Sequence, residues 1–355
     1  MRSADTEEKL KVLGSLSRFD TTGLTQFFQD NYLRYTSFIY PAVGFKSKCV
    51  YLFKVLQTNL CIHNCLYCAN RLSRDTQRFE FSPRELAEAF FYFYRKRKVE
   101  GLFLSSGVYP EPDRAEEKML ATLRILRREG FSGFIHSVIL PGVDKDLIKR
   151  IALLSDRISL NLETTTDKTL SLITPSKDFH KDLWLGLRKI FEIYKSYPLR
   201  GGLTTQLVVG ASPDTDKQIL FLSQRLYQEF SLHRVYYSGF IPVKDTPLEN
   251  KPACSPLREL RLYQADFLLR NYGFKAEELI FNNEGNLFLD IDPKLAWARA
   301  HPENFPLEIN RATKEQLLRV PGIGRTSVQR ILSLRRRKKI WRWEELRSLG
   351  VRSQA

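Results

Sequence analysis

Three of the five cysteines fall within eight residues, in the run Leu60-Cys61-Ile62-His63-Asn64-Cys65-Leu66-Tyr67-Cys68-Ala69-Asn70. The spacing is C-x3-C-x2-C. Three thiolates can hold three irons of a [4Fe-4S] cube and leave the fourth iron open to a ligand the protein does not supply. An open iron suits a cluster that activates a small molecule, whereas a pure electron carrier normally has four protein ligands. Two other readings stay open on these residues alone. At i, i+4 and i+7 the cysteines could form the apolar stripe of a buried helix, and with His63 they could bind zinc. The helical reading is weakened because His63, Asn64 and Asn70 crowd a short stretch. The zinc reading is weakened because His63 is too close in sequence to complete a tetrahedron without strain. Cys49 and Cys254 are too few for a second cube. Cys49 reads as a core residue of the first strand, and Cys254 as an exposed loop thiol, with a catalytic role as the weaker alternative.

A cluster needs a frame to hold it. Apolar runs at 49–56, 101–105, 134–140, 158–162, 203–209 and 235–240 read as strands. Helical patterns at 82–96, 113–128, 144–154, 181–196 and 214–229 alternate with them, opened by the N-caps Ser82, Asp144 and Asp214. Amphipathic stretches at 7–17 and 22–35 come before, and a helix at 257–272 closes the region. Six strands, each followed by a helix, imply an α/β fold with parallel pairing. The expectation is a partial (β/α)6 TIM-like barrel, with a doubly wound sheet as the alternative. The cysteine run follows the first strand directly, which on a barrel is the C-terminal mouth where βα loops build sites.

The C-x3-C-x2-C spacing with Tyr67 before the last cysteine resembles the signature of the radical S-adenosylmethionine (radical SAM) superfamily. The resemblance implies that the open iron chelates the amino and carboxylate groups of SAM. Electron transfer then yields a 5′-deoxyadenosyl radical that takes hydrogen from a substrate. It assigns Cys61, Cys65 and Cys68 as cluster ligands and Tyr67 as the aromatic near the adenine. It also implies a low-potential electron donor such as a ferredoxin or flavodoxin. Ser105-Ser106-Gly107 stands where the superfamily usually has a Gly-Gly-Glu-like turn that meets the SAM amino group. The acidic member is missing, so hydroxyl or backbone contacts would substitute. Asn161-Leu162-Glu163-Thr164 is similar to a run in the biotin and lipoyl synthase relatives. Asn161 and Glu163, two apart on a strand, share a face and suit a ribose diol. Gln206-Leu207-Val208-Val209-Gly210 resembles the segment that lines adenine, making Gln206, Val209 and Gly210 candidate contacts. Substrate contacts are less legible. His136 reads first as a satisfied core histidine, and at most one of Tyr236 and Tyr237 can face a barrel interior. Arg258, Arg261 and Gln264 fit a solvated helix face as well as a phosphate clamp.

Charge points to a second activity. Lys and Arg number 56 against 40 Asp and Glu, a net charge of +16. The last 49 residues, from Leu307, hold 13 basic and 4 acidic residues. A basic excess gathered into a short segment suits a polyanion-binding module. Within it, helical patterns at 313–319 and 326–335 flank Val320-Pro321-Gly322-Ile323-Gly324. This is similar to the helix-hairpin-helix of DNA repair and uptake proteins. Gly322 and Gly324 would present bare backbone N–H groups to a phosphate. Lys314, Arg325, Thr326 and Arg330 would add contacts that position a duplex without reading its sequence. A hairpin that only packs on the barrel is the alternative, and 341–350 reads as a degenerate second half supplying apolar surface. Phe103–Val108, Leu262–Asp266, Asp292–Ala298 and Asn310–Ala312 together resemble the DNA modification/repair radical SAM proteins carrying this module. His63-Asn64 departs from the Tyr-Asp expected within the cysteine loop, and the chain stops soon after Gly350-Val351, which would leave the module's last element incomplete.

The expected organisation is therefore a helical segment (1–44), a barrel (45–285), a linker (286–306) and a DNA-binding module (307–355). The expected function is radical chemistry on duplex DNA, in repair or modification. An RNA-modifying enzyme and a non-catalytic iron–sulfur redox sensor are the alternatives. No apolar run approaches the roughly 18–20 residues of a membrane span. The charged N-terminus has no secretory apolar core, so a cytoplasmic location is expected.

Overall fold

The computed structural model describes residues 4–20, 38–43 and 49–352. The expected helix at 22–35 lies outside them. The chain packs as two compact units, Met1–Asp214 with Arg225–Pro256, and Thr215–Gln224 with Leu257–Ala355.

The first unit is built on seven strands: β1 (Ile39–Val43), β2 (Cys49–Leu56), β3 (Gly101–Ser105), β4 (Phe134–Val138), β5 (Arg157–Ser159), β6 (Gly202–Val209) and β7 (Arg234–Gly239). Their order in the sheet is their order in the chain, with β2 to β7 parallel and β1 antiparallel on the edge. An order that never reverses is singly wound and curls into a half-barrel; a doubly wound sheet would reverse at a switch point. β1 was not expected from the sequence. Five residues containing Pro41 make a weak strand signal, tolerated here because an edge strand has one unpaired side.

The connecting helices are α1 (Ala4–Leu16), α2 (Pro83–Arg95), α3 (Pro112–Arg128), α4 (Lys145–Ala152), α5 (Asp167–Ser171), α6 (Leu185–Ser196) and α7 (Asp216–Phe230). Alternation sorts the strand residues. Phe53, Val55, Leu102, Leu104, Ile135, Ile158, Leu203, Leu207 and Val235 form one buried apolar face. The register aligns Lys54, Phe103, His136 and Arg157 on the other. That second face carries the charged side chains of these strands and the histidine. His136 Nε2 lies 2.9 Å from Ser159 Oγ, its ring edge-on to Phe103, and burial holds its pKa well below the ordinary imidazole value. His136 is thus a neutral, satisfied core histidine. Tyr236 shares Gln206's register position and accepts from Arg157, while Tyr237 belongs to the opposite face and is fully buried.

Local chemistry fixes the helix starts. Ser82 and Glu85 form a reciprocal capping box on α2, with Pro83 at the first helical position. Glu85 also accepts from Lys9 at 3.0 Å and Thr6 at 3.1 Å, which ties α1 to α2. Asp144 caps α4 as expected. Thr215 stands before α7, its Oγ1 accepting from Gln218 N at 3.3 Å, while the Asp214 carboxylate accepts from Thr165 and Ser212. Two cysteine expectations are also corrected. Cys49 is exposed, because it opens β2 where burial has not begun, and Cys254 is buried, packed against Gly210.

The second unit contains α8 (Pro256–Tyr272, mostly within it), α9 (Pro293–Ala300), α10 (Lys314–Arg319), α11 (Arg325–Arg335) and α12 (Trp343–Ser348). Residues 286–306, expected as a linker, instead include α9. Asp292 caps it, and Trp297 packs on Phe274 and Phe305. Leu317, Leu318, Ile323, Val328, Ile331, Ile340 and Val351 form the core of the last 49 residues, joined by Leu346 and Leu349. The 341–350 stretch thus does supply apolar surface.

Glu116 on α3 is fully buried and accepts from Leu140 N at 3.1 Å, anchoring the segment after β4. Burial pushes its carboxyl up from 4.5 to about 8. The folded state therefore holds this proton more tightly than the unfolded one, so the contribution of Glu116 to stability is full below 4.5 and is lost as pH rises through about 8. Glu116→Gln keeps the acceptor and removes the ionisation. The variant should melt higher than wild type at pH 9, with a flatter melting temperature between pH 6 and 9 in circular dichroism.

Candidate active site

The cysteine loop leaves the end of β2 and is held at several points. Gly107 N donates to Thr58 O at 2.7 Å, and Ile62 N to Val108 O at 2.8 Å, tying the loop to the end of β3. A Cβ at Gly107 would lie 2.1 Å from Leu60 O, so only glycine allows this approach. Asn59 exchanges hydrogen bonds with Gln77 and Phe79. Arg78 donates to the carbonyls of Asn59, Asn70, Arg71 and Arg74 at 2.6–3.1 Å. A guanidinium has the planar fork of donors needed to gather several carbonyls at once.

Held in this way, Cys61, Cys65 and Cys68 line one cavity with Tyr67, Ser105, Ser106, Gly107, Asn161, Glu163 and Gln206. Residues from the ends of β2 to β7 thus meet at the mouth, as the barrel topology requires. Val209 and Gly210 are not on its wall, which corrects the expectation for them. Alternation turns Val209 to the helix-facing side and leaves Val208 on the cavity, while Gly210 adopts a φ of +91° and packs against Cys254.

Two further groups bring charge to the cavity, and the sequence did not reveal either. Lys177 lies in the cavity wall and donates to Glu163 Oε1 at 3.2 Å, with both side chains only 9% exposed. Burial would lower its pKa, but Cys65, once it is a thiolate, and the Glu163 carboxylate hold it above the ordinary lysine value. Glu163 has a left-handed backbone, φ +67°, inserted against β6, where its N and O bond to Gln206 O and Val208 N. Its carboxylate also hydrogen-bonds Tyr67. The second group comes from the segment after α1. Phe19 O accepts from Gln206 Nε2 at 3.0 Å, Asp20 Oδ1 accepts from Asn161 Nδ2 at 3.3 Å, and the fully buried Lys54 ammonium bonds Asp20 O. A lysine in an irregular loop and an aspartate just beyond the end of a helix carry no periodic signal.

The donor set fits an iron–sulfur cube. Burial pushes the Cys65 and Cys68 thiols up, so as bare thiols they stay neutral; iron coordination would deprotonate them. Lys177, in the field of Cys61 and Cys65, offsets the negative charge of thiolates. Among the described residues no three His, Cys, Asp or Glu side chains converge on one metal ion. Thiols that each serve a different iron of a cube do not need to converge. The buried Asn70 Oδ1 and His63 Nε2 on the same wall have no protein partner.

Comparison with known proteins agrees with this chemistry. Residues 55–221 match the family model described as the Radical SAM superfamily. That superfamily uses a [4Fe-4S] cluster and S-adenosylmethionine. Among solved structures, HydG, a maturase of FeFe-hydrogenase, superposes with a TM-score of 0.50 at 14% identity, over 60% of this chain and 48% of that one. HydG from Carboxydothermus hydrogenoformans gives 0.49 at 16% identity, over 60% and 50%. Methylornithine synthase gives 0.49 at 16% identity, over 60% of each chain. At such identity the likeness is one of fold. The chain spans about half the length of the HydG structures it matches. No curated protein matches it.

The Lys177–Glu163 pair yields a direct test. Removing one partner of a buried pair leaves an uncompensated charge, which costs about 3–5 kcal/mol. Lys177→Met should lose about that much in urea unfolding, and adding Glu163→Gln should restore most of it. Equal stabilities for wild type and Lys177→Met would contradict the pairing.

Proposed function

We propose, from the premise that residues 55–221 are a radical SAM domain, that the chain is a radical SAM enzyme acting on a nucleotide in DNA. The observation that carries the chemical half is the sharing of one cavity by Cys61, Cys65, Cys68, Tyr67, Asn161, Glu163 and Gln206. When bound, the cluster supplies an electron that cleaves the SAM sulfonium, giving a 5′-deoxyadenosyl radical able to take a hydrogen atom. The chain's own residues do the rest. The three thiols ligate iron. Lys177 supplies positive charge beside them. Asn161 and Glu163 offer a donor and an acceptor for a ribose diol, and Ser105 and Ser106 offer hydroxyls in place of the missing acid. Leu56, Val138, Ile139, Leu140 and Val208 give the cavity an apolar wall that keeps water from a radical. Enzymes of this kind need an external reductant, for which a ferredoxin or flavodoxin is suited.

The DNA half rests on the second unit. Gly322, φ +81°, lies in the turn that brings Gly324 to the start of the eleven-residue helix α11, whose first-turn N–H groups favour an anion. Lys314, Arg325, Thr326 and Arg330 are exposed around this turn, which supports reading it as a helix-hairpin-helix. A target nucleotide would have to leave the base stack to reach the cavity.

Reconstituted anaerobically and reduced, the protein should convert SAM to 5′-deoxyadenosine, detected by mass spectrometry, and Cys65→Ser should abolish this. Duplex affinity should fall with salt, and Lys314→Ala with Arg330→Ala should lower the slope of log K against log salt by about 1 per contact removed. Equal or stronger binding to RNA would transfer the reading to RNA modification.

A further inference from the structure

The segment 335–347 presents an aromatic surface that the barrel chemistry does not use. Trp341 is 79% exposed and Trp343 42%. Single exposed apolar side chains are ordinary, but the position of Trp341 is unusual. It precedes Arg342, the N-cap of α12, where an apolar side chain commonly folds back onto the first turn of its helix. Here Glu345 Oε2 satisfies both backbone groups, accepting from Trp341 N at 2.9 Å and Arg342 N at 3.1 Å, while Leu346 is engaged in the core cluster. The indole is left outside.

Its base is nevertheless rigid. Ile340 is 3% exposed, and its backbone exchanges two hydrogen bonds with the Asn310 amide, Ile340 N to Oδ1 at 2.8 Å and Nδ2 to Ile340 O at 2.9 Å. Lys339 Nζ sits 5.6 Å from the Trp341 ring centre. Among the described residues no acidic side chain pairs with Arg336, Arg337, Lys339, Arg342 or Arg347, all exposed.

We propose that Trp341 is a stacking platform for an unpaired nucleotide, with the surrounding arginines and lysines holding its phosphates. The inference rests on the reading of this unit as a nucleic-acid module and narrows its ligand to a duplex interrupted by unpaired bases. An exposed aromatic face on an anchored backbone in a cationic field matches what a single strand offers, a π-face on each base and a phosphate between neighbours. An intact duplex hides those faces in its own stack. Lipid headgroups would also meet tryptophan and arginine, but the turn at Gly322–Gly324 on the same small core, with its proposed seat for a phosphate, favours nucleic acid.

Fluorescence anisotropy on the full-length, cluster-loaded protein separates the outcomes. A blunt duplex is compared with the same duplex carrying a short single-stranded extension. Wild type should bind the extended DNA roughly 10-fold more tightly, in the range expected for one or two stacked bases. Trp341→Ala should remove that preference while leaving blunt-duplex affinity within about twofold, and Trp341→Phe should keep most of it. Trp341 is too exposed for the changes to disturb folding. Equal wild-type affinity for the two DNAs, a preference that survives Trp341→Ala, or Trp341-dependent binding to anionic lipid vesicles instead of DNA would overturn the platform. Failure to bind the blunt duplex, with the Trp341-dependent preference for unpaired DNA intact, would overturn the duplex reading of the module and support the platform.

Discussion

Everything at the candidate site depends on the close approach of two backbones, the cysteine loop and the end of β3. Three cysteines spread over eight residues face one cavity because the chain between them is pulled into place from outside. Gly107 lets Leu60 O come nearer than any Cβ would permit, and Arg78 gathers carbonyls from both sides of the loop. The cost of desolvating those carbonyls is met by the guanidinium's donors. Without them the loop would have to satisfy its buried polar groups in water.

Sheet topology then decides what else reaches the cavity. Because β2 to β7 are parallel and singly wound, every strand ends on the same rim, and Ser105, Asn161, Glu163, Gln206 and Ser238 converge there from distant parts of the chain. The Glu163–Lys177 pair shows how the rim tolerates charge. The carboxylate receives a lysine and a tyrosine, and the lysine in turn faces two cysteines. A buried pair of this kind contributes little net stability but fixes the positions of its members.

The sequence made the cysteine spacing, the strand–helix alternation and the C-terminal turn legible, because each is a local pattern with a fixed period or offset. It misplaced what depends on the third dimension. Cys49 lies in a strand yet at its unburied start, and Cys254 lies in a loop yet beneath Gly210. Val209 rather than Val208 was expected on the cavity because the phase of alternation was not fixed by composition. Lys177 and Asp20 were invisible because neither belongs to a periodic element, and β1 was hidden by its proline. The helix at 293–300 was obscured by flanking turn residues, although the Asp292-Pro293 pair is a good start signal.

The central claim is that Cys61, Cys65 and Cys68 bind a cube with one iron left for SAM. Electron paramagnetic resonance of the reduced, reconstituted protein before and after adding SAM tests this most directly. The account predicts a signal from a single [4Fe-4S] cluster whose g-values shift when SAM is added. A spectrum indifferent to SAM, or protein that retains zinc in place of iron, would contradict it.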